Sequence, residues 1–233
     1  APARRAPRAT TARLPDAPEN PNLLSVPPPA AVERWRLAKT YEAHAASVSA
    51  VAVHPGRLVA ATASDDATWK LWSIPDGELI MSGEGHDGWL SAVAFAADGG
   101  RLATASADAT VKVWDLASSR CAVTLAEHTS CVWDIAFHDL APVLASASMD
   151  QTARLWDLVA NRVRQTFRGH VDSVNAVEFA PYSNHLATGS GDKTVSIWDA
   201  RTGLCEQTFY GHRNAINALC FAPRGDVLAS ADA

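Results

Sequence analysis

The sequence predicts an all-β fold, a partial β-propeller built of four-stranded antiparallel blades set around an axis. Two registers carry that prediction. His44, His86, His128, His170 and His212 recur every 42 residues, and Trp72, Trp114, Trp156 and Trp198 keep the same interval. Asp66, Asp108, Asp150 and Asp192 fall on it too, as do Thr62, Thr104, Ser146 and Thr188, so a set of four polar residues is repeated whole. A period in the low forties is that of a repeat unit which cannot bury its own apolar faces and must stack on its neighbours.

From Trp35 onward each unit reads as four short strands. In the third unit these run Arg120 to Leu125, Val132 to His138, Val143 to Ser148 and Thr152 to Asp157. Val, Ile, Leu, Phe and Thr fill the runs, while Asp, Asn, Gly, Pro and Ser fill the breaks, which is the punctuation of antiparallel hairpins. The first strand of a unit is the most polar, as in Arg162, Arg164 and Gln165, and suits a water-facing outer edge. The second is the most apolar and suits the centre. Four units are complete and a fifth stops at Ala233. Seven blades are the commonest closure, so roughly two and a half units are expected beyond this piece, which begins at Ala1 and reads as part of a longer chain.

Residues 1–32 hold eight of the thirteen prolines with several Arg and Ala, and have neither strand nor helix periodicity. They read as a disordered linker, leaving 33–233 as the partial propeller. The formal net charge is −5, and with Arg4, Arg5, Arg8, Arg13, Asp16 and Glu19 set aside the repeats carry about −7. That balance argues against a duplex nucleic-acid partner, which needs Lys and Arg gathered on one surface. No apolar run is long enough to span a bilayer, so no membrane partner is expected. Cys121, Cys131, Cys205 and Cys220 show neither C-x-x-C pairing nor a His at zinc spacing, and read as free thiols of a reducing, cytoplasmic compartment.

The repeated Thr or Ser, His, Asp and Trp contain the residue types of a hydrolase triad. An enzyme needs one such set in a cleft, whereas here every unit carries one, so the sets read as structural and no catalytic residue is assigned. Asp192 belongs in the turn between a unit's third and fourth strands, and counting back from that turn brings Thr188 opposite Trp198. The indole N–H of Trp198 then donates to Thr188, whose hydroxyl meets His170, whose other nitrogen reaches Asp192. Ser190 is an alternative relay, because Ser64, Ser106 and Ser148 share its register. Gly189, Gly191, Lys193 and Thr194 lack phosphate-loop spacing and read as a hairpin turn. Periodic histidines in separate blades cannot share a metal, and His54, His138 and His185 read as surface or strand-end residues. No metal, cofactor or small-molecule substrate is expected.

Positions that break the repeat are better candidates for recognition. Trp89 and Ser91, Cys131 and Trp133, and Asn175 and Asn217 stand where the innermost strands begin, on the face designated the top. Asp65, Met149 and Gly191, just before the repeated Asp, ring the same surface. Large aromatics on such a rim are the residue type that anchors protein interfaces, although packing between blades accounts for them equally well.

With Trp114-Asp115, Trp156-Asp157 and Trp198-Asp199 intact, the chain from Trp35 to Ala233 resembles the WD-repeat family. Trp72 is followed by Ser73, and Ala43 and Glu127 replace the usual Gly before His, so those turns are expected to be built differently. The stretches Asp172 to His212 and Gly85 to Phe95 are similar to WD-repeat proteins of the central apparatus of motile cilia and flagella. That resemblance implies a cytoskeletal, axonemal location, a role in motility, central-apparatus and microtubule-associated protein partners, and a coiled coil upstream. The function expected is a non-catalytic protein-interaction scaffold. A substrate adaptor of a ubiquitin ligase or signalling complex, capturing a short peptide on the top face, is the alternative.

Overall fold

A computed structural model describes Leu37 and residues 39–233. The linker assigned to 1–32 lies outside the described residues, as does Trp35. Eighteen strands follow one another, and no helix occurs among the described residues. They form four complete antiparallel sheets and one pair. Blade one comprises β1 (Val48–Val53), β2 (Val59–Ser64), β3 (Trp69–Ser73) and β4 (Leu79–Gly83), hydrogen-bonded in that order. Blade two comprises β5 (Leu90–Phe95), β6 (Arg101–Ser106), β7 (Val111–Asp115) and β8 (Arg120–Leu125). Blade three runs β9 (Val132–Phe137), β10 (Val143–Ser148), β11 (Thr152–Asp157) and β12 (Arg162–Arg168). Blade four runs β13 (Val174–Phe179), β14 (His185–Ser190), β15 (Thr194–Asp199) and β16 (Cys205–Tyr210), and β17 (Ile216–Phe221) pairs with β18 (Leu228–Asp232).

The four strands of one sequence unit do not share a sheet. Of the third unit's strands, β9, β10 and β11 lie in blade three, but β8 closes blade two. Unit and blade are out of phase by one strand, so each unit is tied by main-chain hydrogen bonds to the sheet before it. No strand occupies the described residues 39–47; the first unit's opening strand, expected from about residue 36, lies partly outside the described residues.

Successive sheets meet along their first strands: β1 packs on β5, β5 on β9, β9 on β13 and β13 on β17. The blades therefore converge at those strands and diverge towards β4, β8, β12 and β16, which are more exposed than the second and third strands of the same sheets. Apolar clusters fill the clefts between blades. Leu155, Phe167, Val177 and Trp198 are among those between blades three and four, and Val113, Ile135, Leu144 and Trp156 among those between two and three. The tapering cleft explains why the second strand of each blade is rich in Ala, since Ala61, Ala63, Ala103, Ala105, Ala145, Ala147 and Ala187 are fully buried where the sheets approach.

Candidate functional site

Each blade carries the same hydrogen-bonded brace at its top. In blade two the Trp114 indole N–H donates to Thr104 Oγ1 at 2.9 Å, that hydroxyl lies 2.9 Å from His86 Nε2, and His86 Nδ1 lies 2.8 Å from Asp108 Oδ2. In blade one Trp72, Thr62, His44 and Asp66 are linked at 2.9, 2.8 and 3.0 Å. Trp156, Ser146, His128 and Asp150 follow at 2.8, 2.7 and 2.8 Å, and Trp198, Thr188, His170 and Asp192 at 2.8 Å throughout. The brace spans two strands, a turn and the loop that crosses from the preceding blade. Thr62, Thr104, Ser146 and Thr188, rather than Ser190 or its equivalents, are the relay. Those serines instead accept the backbone N–H of the turn Asp at 3.1 Å in every blade.

Burial sets the protonation of the brace. It holds His86 and His128 below the ordinary imidazole value, against the pull of Asp108 and Asp150. A neutral ring between a hydroxyl and a carboxylate places its proton on Nδ1, donating to Asp, and accepts the hydroxyl proton at Nε2. Burial also opposes ionisation of Asp66, Asp108, Asp150 and Asp192. Hydrogen bonds from the neighbouring His and Thr outweigh it and keep all four below the usual carboxylate range.

Thr68, Thr110, Thr152 and Thr194 complete the turn; sequence reasoning placed Thr194 in a hairpin turn but missed the 42-residue register that the four share. Each hydroxyl donates to Oδ1 of the Asp two residues before it, at 2.5 to 2.7 Å. The residue between, Ala67, Ala109, Gln151 or Lys193, sits at a left-handed φ of 64 to 72°.

The brace holds the loop that leads into the innermost strand. Oδ2 of the turn Asp accepts the N–H of Ala45, Asp87, Thr129 and Val171 in blades one to four, at 3.0 to 3.2 Å. One residue before the innermost strand, or just short of it, a carbonyl is pinned as well: Ser47, Trp89, Cys131 and Ser173 accept N–H groups of Asp65, Ala107, Met149 and Gly191 at 2.8 to 3.0 Å. What protrudes from these fixed loops is presented at little further entropic cost.

The rim candidates divide in two. Trp89 is 36% exposed and packs at 5.5 Å on the half-buried ring of Trp133, joining blades two and three. Met149, Asp65 and Asn217 are exposed. Val171, 78% exposed in the corresponding loop of blade four, was missed because a lone Val gives no sequence signal. Ser91 and Asn175, by contrast, bond across to the next blade: Ser91 Oγ donates to the Val132 carbonyl and Asn175 Nδ2 to that of Ile216 at 2.9 Å. Their polar groups are engaged between blades. Cys131 is half-buried, and burial together with the Asp108 charge pushes its thiol up to about 11.

Two carboxylates of the innermost strands were also missed. Asp134 accepts the N–H of Val177 at 2.9 Å, and Glu178 that of Phe221 at 2.8 Å, so each satisfies an edge amide of the next blade. Burial raises Asp134 to about 6, and burial with the nearby Asp134 raises Glu178 to about 7. On the opposite, bottom face His138 is buried rather than at the surface, edge-on to Phe179 at 4.9 Å, and His54 meets Phe95 likewise at 5.1 Å. Both stand at strand ends and pack one blade against the next.

Thr104, Ser146 and Thr188 are fully buried, so these three hydroxyls are closed to a substrate. Among the described residues no group of three or more His, Cys, Asp or Glu is placed to hold a metal, and all four cysteines are free. No helix among them is long and apolar enough to cross a membrane. A cavity of about 540 Å³ opens between blade four and the β17–β18 pair, lined by Val195, Ile197, Phe209, Phe221 and Leu228.

The WD domain, G-beta repeat family matches residues 35–73, 75–115, 119–157, 161–199 and 203–233. The chain belongs to this family. The matches to 75–115, 119–157 and 161–199 begin with the outer strand of one blade and end with the third strand of the next, the same phase as the units read from the sequence. WD domains are protein-interaction scaffolds, and the braced loops fit that use. The chain is also similar to the flagellar WD repeat-containing protein Pf20 of Chlamydomonas reinhardtii, 50% identical over 58 residues. That match covers 25% of this chain and 10% of the relative.

Proposed function

We propose that the chain is a non-catalytic scaffold of the ciliary or flagellar axoneme, a component of the central apparatus that docks other axonemal proteins on its top face. The likeness to a flagellar WD-repeat protein carries this reading, and the geometry supports it. Trp89 and Val171 stand out from loops whose main chain is fixed by the braces, and Met149 from the β10–β11 turn whose N–H is bonded to Cys131 of the corresponding loop in blade three. An interface prearranged in this way loses little conformational freedom when a partner arrives. Exposed aromatic and Met side chains are the types that anchor such contacts.

The test is retention of the purified chain on demembranated axonemes. Co-sedimentation that survives detergent and is weakened by Trp89→Ala is the expected result. A chain that stays in the supernatant, or that associates instead with a ubiquitin ligase core, overturns the axonemal assignment.

A further inference from the structure

Charge is distributed unevenly over the top face and the channel beneath it. Asp65, Asp87 and Asp172 are exposed on the top loops. Behind them the Asp of each brace is held ionised beside its imidazole, while Lys193 and Arg213 in those loops and Arg168 at the top end of β12 are exposed cations. The five innermost strands carry two charged side chains, Asp134 and Glu178, and both are acidic. The apolar groups Trp89, Met149 and Val171 lie within this negative surround, one in each of three consecutive blades. The Trp89 ring, backed by Trp133, is an electron-rich face of the kind that attracts a guanidinium or ammonium group.

We infer that the top face recognises an extended protein segment bearing Arg or Lys, with a cation over Trp89 and further cations facing Asp87 and Asp172. This rests on the reading of the top face as the docking face. Opposite charge on the partner speeds encounter and makes it salt-dependent.

The experiment uses a fluorescein-labelled octa-arginine peptide, with octaglutamate and a Gly-Ser octapeptide as controls, titrated with the whole chain at low and at physiological salt. Octa-arginine alone should bind, more weakly as salt rises. Trp89→Leu, which keeps the apolar bulk and loses the aromatic face, should weaken it about threefold. Asp87→Asn with Asp172→Asn should weaken it about fivefold or more. Asp76→Asn with Asp226→Asn, on the bottom face, should leave it unchanged. Thermal melts of each variant separate lost binding from lost folding. Equal weakening by the top and bottom pairs, or binding indifferent to Trp89, overturns the inference. If octa-arginine fails to bind while Trp89→Ala still abolishes axonemal retention, the docking face stands and the basic partner falls. If both fail, the docking face falls with it.

Discussion

Trp69 stands directly across the strand pair from Gly83, and the two exchange the bulk that the other blades distribute the opposite way. The same cross-strand position holds Val111 with Leu125, Ala153 with Phe167, and Val195 with Phe209. A Cβ on Gly83 would fall inside the Trp69 ring. The Trp69 ring packs at 5.3 Å on Trp114 of blade two, just as Phe167 packs at 5.5 Å on Trp198 of blade four. One inter-blade slot is thus filled from the third strand in blade one and from the outer strand in blade three. Gly83→Leu alone should overpack the slot and cost about 1 to 3 kcal/mol. Trp69→Val alone should leave a cavity and cost about 2 to 4 kcal/mol. Together they recreate the Val111–Leu125 pair, and the double variant should recover more than half of the summed loss in a denaturant cycle. Simple additivity would refute the exchange.

Removing one member of a brace strands the others. His170→Ala leaves Thr188 and Asp192 short of a partner at positions bonded at 2.8 Å. A loss of about 1 to 3 kcal/mol is expected, read from the urea midpoint at constant m. An unchanged midpoint contradicts the brace.

The pH dependence has two opposing arms. The brace aspartates have depressed values, so their contribution is complete above the unfolded carboxylate range and is lost as pH falls through their folded values. His86 and His128 are also lowered, and because the unfolded rings protonate first, stability is lost as pH falls below about 6.5. Glu178, raised to about 7, works the other way: the folded state holds the proton, and stability declines as pH rises from its unfolded value to about 7. Glu178→Gln keeps an acceptor for Phe221 and removes that decline. Its advantage over the parent should grow between pH 4.5 and 7 and then level off, at about 1 kcal/mol after allowance for solvent screening. A constant difference across that range would remove Glu178 from the titration.

Trp89→Ala separates docking from folding. Its ring is partly exposed and leans on Trp133, so its removal should lower the melting point by no more than a few degrees. Axonemal retention should nevertheless fall severalfold. A large melting loss with retention intact would assign Trp89 to packing.

The repeat was legible because its signal is redundant. His, Asp, Trp and Thr or Ser recur together, and the third unit's strands end within a residue of their observed limits. The one-strand offset between unit and blade was not legible, because periodicity is blind to phase: any 42-residue window repeats equally well. Thr68 and its equivalents carried the period but sat in a turn already explained by Asp. Ser91, Asn175, Asp134 and Glu178 break the period, and each serves a main-chain group of the next blade. Contacts of that kind leave no trace along the sequence, since donor and acceptor lie about one repeat apart and are brought together only by stacking.

Amide hydrogen exchange at the Asp87 N–H, in the parent and in Asp108→Ala, tests most directly whether the braces hold the top loops in place. That N–H donates to Asp108 Oδ2 at 3.0 Å, and the neighbouring Trp89 carbonyl accepts from Ala107 at 3.0 Å. Asp108→Ala should speed exchange at Asp87 and Ala107 by tenfold or more, on the order of the bond's net worth, while amides in the middle of β6 exchange as before. Unchanged protection at Asp87 and Ala107 would mean that the loops are held by something other than the braces.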